Sequence, residues 1–315
     1  MSKVKHNDLL TIELLDINSR DSIANISKEV GISKQAMISK IQNLEKEGFC
    51  QFVPVIDYFK LGYHNIHIYL KLQGMGREEY LEKIRLLEKI KNITWLEEFI
   101  GEYDLAISVF YNSIKDLYNI LDKVYYSFKD SIREKELHFI YEHIIKNFSF
   151  GLTDKKIITI VKEKDCLFSP SKMHKKILDL IKSNGRFSYV DLVDKLKISY
   201  QQVRYHIKKI EEQGMILRYK SIINYNKIGY HHYICILKTV PGRNIDIVLK
   251  ELKLNNLIPF ISITLENNVI LDFVCESHDE LKDFLDKLKS KYAKIIEEFK
   301  ILNIKNLIKL DYLID

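Results

Sequence analysis

The sequence predicts an α+β protein built twice over, each copy a helix-turn-helix unit followed by a βαββαβ domain. Three observations carry this. Residues 18–49 return in outline as residues 184–215, with Arg20, Ser33 and Gly48 recurring as Arg186, Ser199 and Gly214, a constant 166 residues on. LGYHNIHIYLKL at 61–72 is echoed 167 residues later by IGYHHYICILKT at 228–239, so one residue has been inserted between the two anchors. Such a unit is too long for a solenoid repeat. Each copy, finally, alternates helix-spaced and strand-like segments in one fixed order.

In copy one, Leu9–Leu15 is an apolar first helix. Ile23, Ile26 and Val30 follow at i, i+3, i+7, one stripe of a short second helix, and Gly31 is a natural left-handed stop. Ser33 suits the N-cap of a third helix whose buried face is Met37, Ile41 and Leu44, ended by Gly48. Residues 51–56 read as the strand of a wing. Copy two repeats the scheme: Ile177–Ile181, then Tyr189, Leu192 and Leu196, then the capping box Ser199-x-x-Gln202, then Val203, Ile207 and Ile210, with Gly214 as stop and 216–223 as wing.

The second half of copy one reads as a strand at 64–73, a helix at 78–91, strands at 93–100 and 103–111, an amphipathic helix at 113–128 and a strand at 135–145, the ferredoxin-like order. Copy two gives 231–240, 244–254, 257–265, 268–276, 278–291 and about 298–309. The expected organisation is a winged helix-turn-helix at 1–60, a βαββαβ domain at 61–146, a linker at 147–171, a second winged helix-turn-helix at 172–226 and a second βαββαβ domain at 227–315. Ile157–Val161 of the linker reads as an extra strand padding a sheet edge.

The outer faces of the third helices carry Lys34, Gln35, Ser39 and Lys40 in copy one and Tyr200, Gln201, Arg204, Tyr205 and Lys208 in copy two. Such side chains suit base edges and phosphates in a major groove. With the caps Ser33 and Ser199, and Arg218 in the second wing, they are the candidate contacts to double-stranded DNA. Arg218 and Lys220 give the second head more positive charge than the first, so it is expected to dominate non-specific affinity.

Two helix-turn-helix units, a linking segment ending in Leu61-Gly62-Tyr63 or Ile228-Gly229-Tyr230, and the Gly101-Glu102-Tyr103-Asp104 element together resemble the Lrp/AsnC (feast/famine) transcription regulators, as two family-length copies in one polypeptide. The resemblance implies RAM-type βαββαβ domains, DNA as partner, and a small effector such as an amino acid, held by Gly101, Tyr103 and Asp104; the alternative for these residues is a structural β-turn without a ligand, since Gly and Asp are ordinary turn residues. Copy two has Leu265-Glu266-Asn267-Asn268 at the matching turn and lacks both the glycine and the acid. Regulators of this kind need no cofactor and are not enzymes. Sirohaem decarboxylases share the two-part architecture and stand as the alternative. A tetrapyrrole carboxylate site calls for clustered arginine, whereas Arg77, Arg133 and Arg243 are isolated. A third possibility is a sensor or assembly protein whose heads no longer bind DNA.

Composition narrows the rest. A hydrophobic fraction of 46%, with 19 Tyr and 15 Phe, supports sizeable cores, and only four Pro and eleven Gly argue against long disordered tracts. The net charge of +6 fits a nucleic-acid partner. No apolar run is long enough for a bilayer and the N-terminus has no signal-peptide core, so a cytoplasmic protein without a membrane partner is expected. Cys50, Cys166, Cys235 and Cys275 are scattered and read as reduced structural thiols. No P-loop, GxGxxG or HExxH spacing is present. The strands at 66–72, 105–111, 234–238 and 269–275 are apolar on nearly both faces. Two helices cover only one face of such a sheet, so the domains are expected to pair through their sheets, within a chain or in a homo-oligomer.

Overall fold

The computed structural model describes residues 5–163, 168–182 and 184–310. Cys166, part of the expected linker and the outermost residues of the terminal domains lie outside them. The first half runs α1 (His6–Ile17), α2 (Ile23–Val30), α3 (Lys34–Lys46), β1 (Cys50–Ile56), β2 (His64–Leu72), α4 (Arg77–Glu88), β3 (Ile93–Gly101), β4 (Leu105–Tyr111), α5 (Ile114–Phe128) and β5 (Ile132–Lys146). After β6 (Ile158–Lys162) the same order returns as α6 (Lys172–Ile181), α7 (Tyr189–Leu196), α8 (Tyr200–Glu212), β7 (Ile216–Ile223), a short α9 (Tyr225–Ile228), β8 (His231–Thr239), α10 (Asp246–Leu254), β9 (Phe260–Thr264), β10 (Val269–Cys275), α11 (His278–Tyr292) and β11 (Ile296–Leu310).

The two four-stranded sheets do not stack face to face. They join edge to edge into one closed antiparallel ring, β2-β4-β3-β11-β8-β10-β9-β5 and back to β2. Two 15-residue strands make the closure. The start of β5 pairs with β2 of its own half, and Ile140–Ile145 then pair with Phe260–Thr264 of the other half. β11 does the converse, pairing first with β8 and then, over Leu302–Leu310, with Trp95–Gly101. β6 covers the edge of β5 that β2 leaves, as residues 157–161 promised.

Each wall of the ring is packed on its outside by two helices. α4 and α5 cover one half around Ile84, Leu87, Leu117, Ile120 and Val124. α10 and α11 cover the other around Val248, Leu252, Leu285 and Leu288. The inner face, lined by Tyr69, Phe99, Ile234, Ile236, Ile270 and Leu302, is the surface that called for a partner sheet. It is buried within the chain, which removes the physical reason for a homo-oligomer through these domains.

The strands expected to be separate wings are also joined. β1 and β7 pair antiparallel, Cys50 opposite Ile223 and Val55 opposite Arg218. Each strand thereby completes the other head's core: Ile223, Tyr225 and Ile228 pack on α1–α3, while Ile56 and Tyr58 pack on α6–α8. The loop before α7 sits directly on the ribbon, where Gly185 N–H donates to Phe52 O at 2.7 Å. A Cβ at Gly185 would lie 2.8 Å from both Val53 N and Val53 C. Gly185→Ala is therefore expected to cost on the order of 2 kcal/mol, the scale of an overpacked core. Denaturant unfolding measures it, and a wild-type midpoint would mean that the ribbon yields at no cost.

Candidate functional site

The third helix of each head is built as its sequence dictates. Ser33 Oγ accepts from Ala36 N–H at 3.2 Å and starts α3. Ser199 Oγ accepts from Gln202 N–H at 3.2 Å, and Ser199 N–H donates in return to Gln202 Oε1 at 2.9 Å, so α8 opens on a reciprocal capping box. Met37, Ile41 and Leu44 bury one face of α3, and Val203, Ile207 and Ile210 one face of α8. The opposite faces look outward. Lys34, Gln35 and Ser39 are exposed on α3, as are Tyr200, Gln201, Arg204, Tyr205 and Lys208 on α8, where Lys208 lies 3.5 Å from Glu212.

Three basic residues are placed differently. Lys40 is half-buried and ion-paired with Asp8 of α1. Arg218, expected as a wing contact, has its guanidinium nitrogens buried against the β1–β7 ribbon. Lys220 turns inward to Asp16 at 3.3 Å. The strand that carries Arg218 and Lys220 forms the joint between the heads, so neither adds to a DNA-facing surface. The wing charge no longer favours the second head.

A reciprocal clasp holds the heads together. Arg20 donates to Phe187 O at 3.0 Å, and its guanidinium sits 3.9 Å over the Phe187 ring. Arg186, its counterpart in the repeat, donates to Ser19 O. Ser19 N–H donates to Tyr219 O at 3.1 Å. Glu13 and Asp16, buried on α1, gather the chain that follows β5: Asp16 accepts from Phe148 N–H at 2.7 Å and Glu13 from Phe150 N–H at 2.9 Å and Thr153 N–H at 3.0 Å.

The expected effector turn is committed to the frame. Asp104 Oδ2 accepts from Leu72 N–H at 2.7 Å. Gly101 has φ +147, and a Cβ there would meet Ile301 O at 3.1 Å. The Tyr103 hydroxyl donates to Glu136 and accepts from Lys300 of the other half at 2.9 Å. Lys300 also reaches Glu136 at 2.8 Å and Glu102 at 3.0 Å. Despite the cost of burial, these partners hold the Glu136 carboxyl down to about 2. The turn is a junction between the two halves.

A cavity of about 760 Å³ lies instead inside the ring, reaching up to the β1–β7 ribbon. Its polar lining includes His67, Glu97, His143, His232 and Asp272. Of these the sequence drew attention only to His232, as half of the adjacent pair His231-His232, whose side chains face opposite ways along a strand and so cannot easily share a metal. For Asp272 the signal was there, a lone acid within the apolar strand VILDFVC. His143 bonds Ser262 at 2.9 Å and Asn65 at 3.2 Å. Burial pushes its imidazole down to about 3 and His67 well below its usual value, His143 adding to the effect on His67. Cys50, Cys235 and Cys275 are buried, with thiols raised chiefly by burial, which suits structural roles. Among the described residues no helix is long and apolar enough to cross a membrane.

Residues 171–216 match the winged helix-turn-helix DNA-binding family. The chain is similar to the uncharacterized HTH-type transcriptional regulator YugG of Bacillus subtilis (strain 168), with 29% identity over 167 residues, 50% of this chain and 98% of that protein. It is also similar to the HTH-type transcriptional regulator FL11 of Pyrococcus furiosus, at 21% over 117 residues, 37% of this chain and 78% of the relative. Over its whole length it shares the fold of the siroheme decarboxylase NirDL, with a TM-score of 0.62 and 11% identity, covering 98% of this chain and 95% of that one. The same decarboxylase has been solved with an iron-uroporphyrin III analogue. A winged helix-turn-helix DNA-binding domain is thus present, and the relatives by sequence are named as regulators.

His67 and His143 set a pH dependence. Between pH 6.5 and about 3 the unfolded chain binds a proton at residue 143 that the folded chain excludes. The contribution of such a group to stability is fully present above 6.5 and is lost as pH falls, with a slope of roughly 1.4 kcal/mol per pH unit for each group. The expected outcome is an unfolding free energy that declines below pH 6.5 and declines less steeply in His143→Gln. Parallel curves for the two proteins would rule out a buried neutral imidazole.

Proposed function

We propose that this chain is a transcription regulator in which one polypeptide supplies both DNA-binding heads, the single-chain counterpart of a dimeric Lrp/AsnC-type protein. Heads at 1–60 and 172–226 are carried on βαββαβ domains at 61–146 and 227–315. The observation that carries the reading is the joint: two capped helices with outward polar faces are held by a shared β-ribbon and the Arg20–Arg186 clasp. Fixed heads favour simultaneous engagement of two half-sites, because their relative orientation is set before DNA is met. The faces differ, Lys34-Gln35-Ala36 against Tyr200-Gln201-Gln202, so the preferred operator is asymmetric. The basic balance of the chain supports the same partner.

A second reading, a tetrapyrrole decarboxylase, is favoured by the full-length fold similarity and by the interior cavity. The lining speaks against it. A substrate rich in carboxylates asks for free cations, and among the described residues the wall carries no arginine. Its lysines are engaged: Lys220 with Asp16, Lys305 with Glu98 at 2.9 Å, Lys227 with Glu47 O at 2.6 Å.

Fluorescence anisotropy on a fragment selected from genomic DNA tests the leading reading. Lys34→Ala, Arg204→Ala and Lys208→Ala are each expected to weaken binding and to lower the log–log salt slope by roughly 0.9 for every phosphate that is no longer neutralised. Lys40→Ala, with its charge already paired, is expected to change the slope far less. Affinity and slope unchanged in the combined variant would refute the assignment of these faces to DNA.

A further inference from the structure

The fold leaves buried polar atoms in its barrel without partners. Glu97, on β3, is 3% exposed. One of its oxygens accepts from Trp95, while Oε2 meets no donor among the described residues. The Tyr69 hydroxyl and His67 Nδ1, both buried, are in the same condition. Leaving one such group unserved costs about 1–3 kcal/mol, and all three residues line the same cavity. Groups kept at that cost are expected to meet something that enters.

What enters is constrained by charge. Asp272, on β10, also lines the cavity and raises the Glu97 carboxyl further above its usual range, after burial itself. Asp272 is 3.1 Å from His232. The nearby lysines are committed to Asp16 and Glu98. Two carboxyl groups thus face one buried space, and Glu97 keeps its proton before a ligand enters. A ligand that brings N–H donors and a basic ring nitrogen can take up that proton and pair with both. Shape adds a second constraint. Rings stand around the same space, with His67 5.5 Å from Trp95 and His143 5.2 Å from Phe260 between centroids. Aromatic faces beside carboxylates suit a flat, donor-edged molecule rather than an aliphatic one. A volume of about 760 Å³ exceeds what an amino acid fills and lies within the roughly 300–1,000 Å³ of small-molecule sites.

We propose that the barrel cavity binds a planar nitrogen heterocycle carrying amino or protonated ring N–H donors, its donor edge on Glu97 and Asp272 and its face toward Trp95 and His67. The site deepens the regulator reading by giving it an effector class, and it replaces the Gly101–Asp104 turn as the effector's place. The cavity borders Tyr225 and Lys227 beside the joint as well as the barrel wall.

Isothermal titration calorimetry on the full chain, without DNA, tests it with 2,4-diaminopteridine as probe and benzoate, spermidine and iron-uroporphyrin III as contrasts. The expected result is one diaminopteridine per chain, weakened about tenfold or more by Glu97→Gln, which removes the carboxyl that gives up its proton to the ligand ring and then pairs with it. Thermal unfolding of the variant without ligand establishes that it folds. If it does not, Asp272→Asn carries the same test. Absence of diaminopteridine binding, or binding indifferent to the variant, overturns the proposal. Tighter binding of benzoate, spermidine or iron-uroporphyrin III overturns the ligand class. Because DNA is left out, failure here is distinguishable from failure of the heads to bind DNA.

Discussion

Everything above the level of the single helix depends on two strands that outgrow their own sheets. A βαββαβ unit needs a last strand long enough only to pair with its first. β5 and β11 run 15 residues, and their second halves continue into the opposite half of the molecule. That extra length satisfies the outer edges of β3 and β9, which in an isolated unit would carry unpaired N–H and C=O groups. It also turns two open sheets into a ring with an inside. The cavity, the wiring of Lys300 to Glu136 across the halves, and the burial of both inner faces all follow from it.

Above the barrel, the heads obey the same logic of exchange. Neither helix-turn-helix has a complete core of its own, since β7 and α9 lend Ile223, Tyr225 and Ile228 to the first, and the β1 region lends Ile56 and Tyr58 to the second. Two arginines at equivalent places in the repeat reach across to each other's loops. Charged groups close the remaining gaps. Glu13 and Asp16 are fully buried at modest cost because backbone N–H groups and Lys220 meet them.

Much of this was legible in the residues. Local rules sufficed for Gly31 as a helix stop, for the serine caps, for the stripes of Met37, Ile41 and Leu44 and of Val203, Ile207 and Ile210, and for the strand and helix segments of each half. What was not legible depended on distant pairing. Residues 51–56 and 216–223 look alike as wings or as partners, because a strand's pattern says which face is buried and not which chain segment lies beside it. Arg218 therefore read as a contact to DNA and proved to be internal. Gly101 and Asp104 left a ligand turn and a structural turn both open, because the two use the same residues. The cavity lining was missed for a related reason: a single Glu97 or Asp272 in a strand gains meaning only once the ring places the two across one space.

The exchanged strands also change how the assembly answers to its own abundance. Two separate subunits joined this way would come apart on dilution, and the fraction of complete barrels would fall away when they are scarce. Here the partner sheet is tethered by the segment from Asn147 to Ser171, so its effective concentration is fixed by chain length and not by copy number. A cell holding very few molecules still holds complete ones. The chain's own second half also outcompetes that of any related protein, so the two halves are free to drift apart in sequence together.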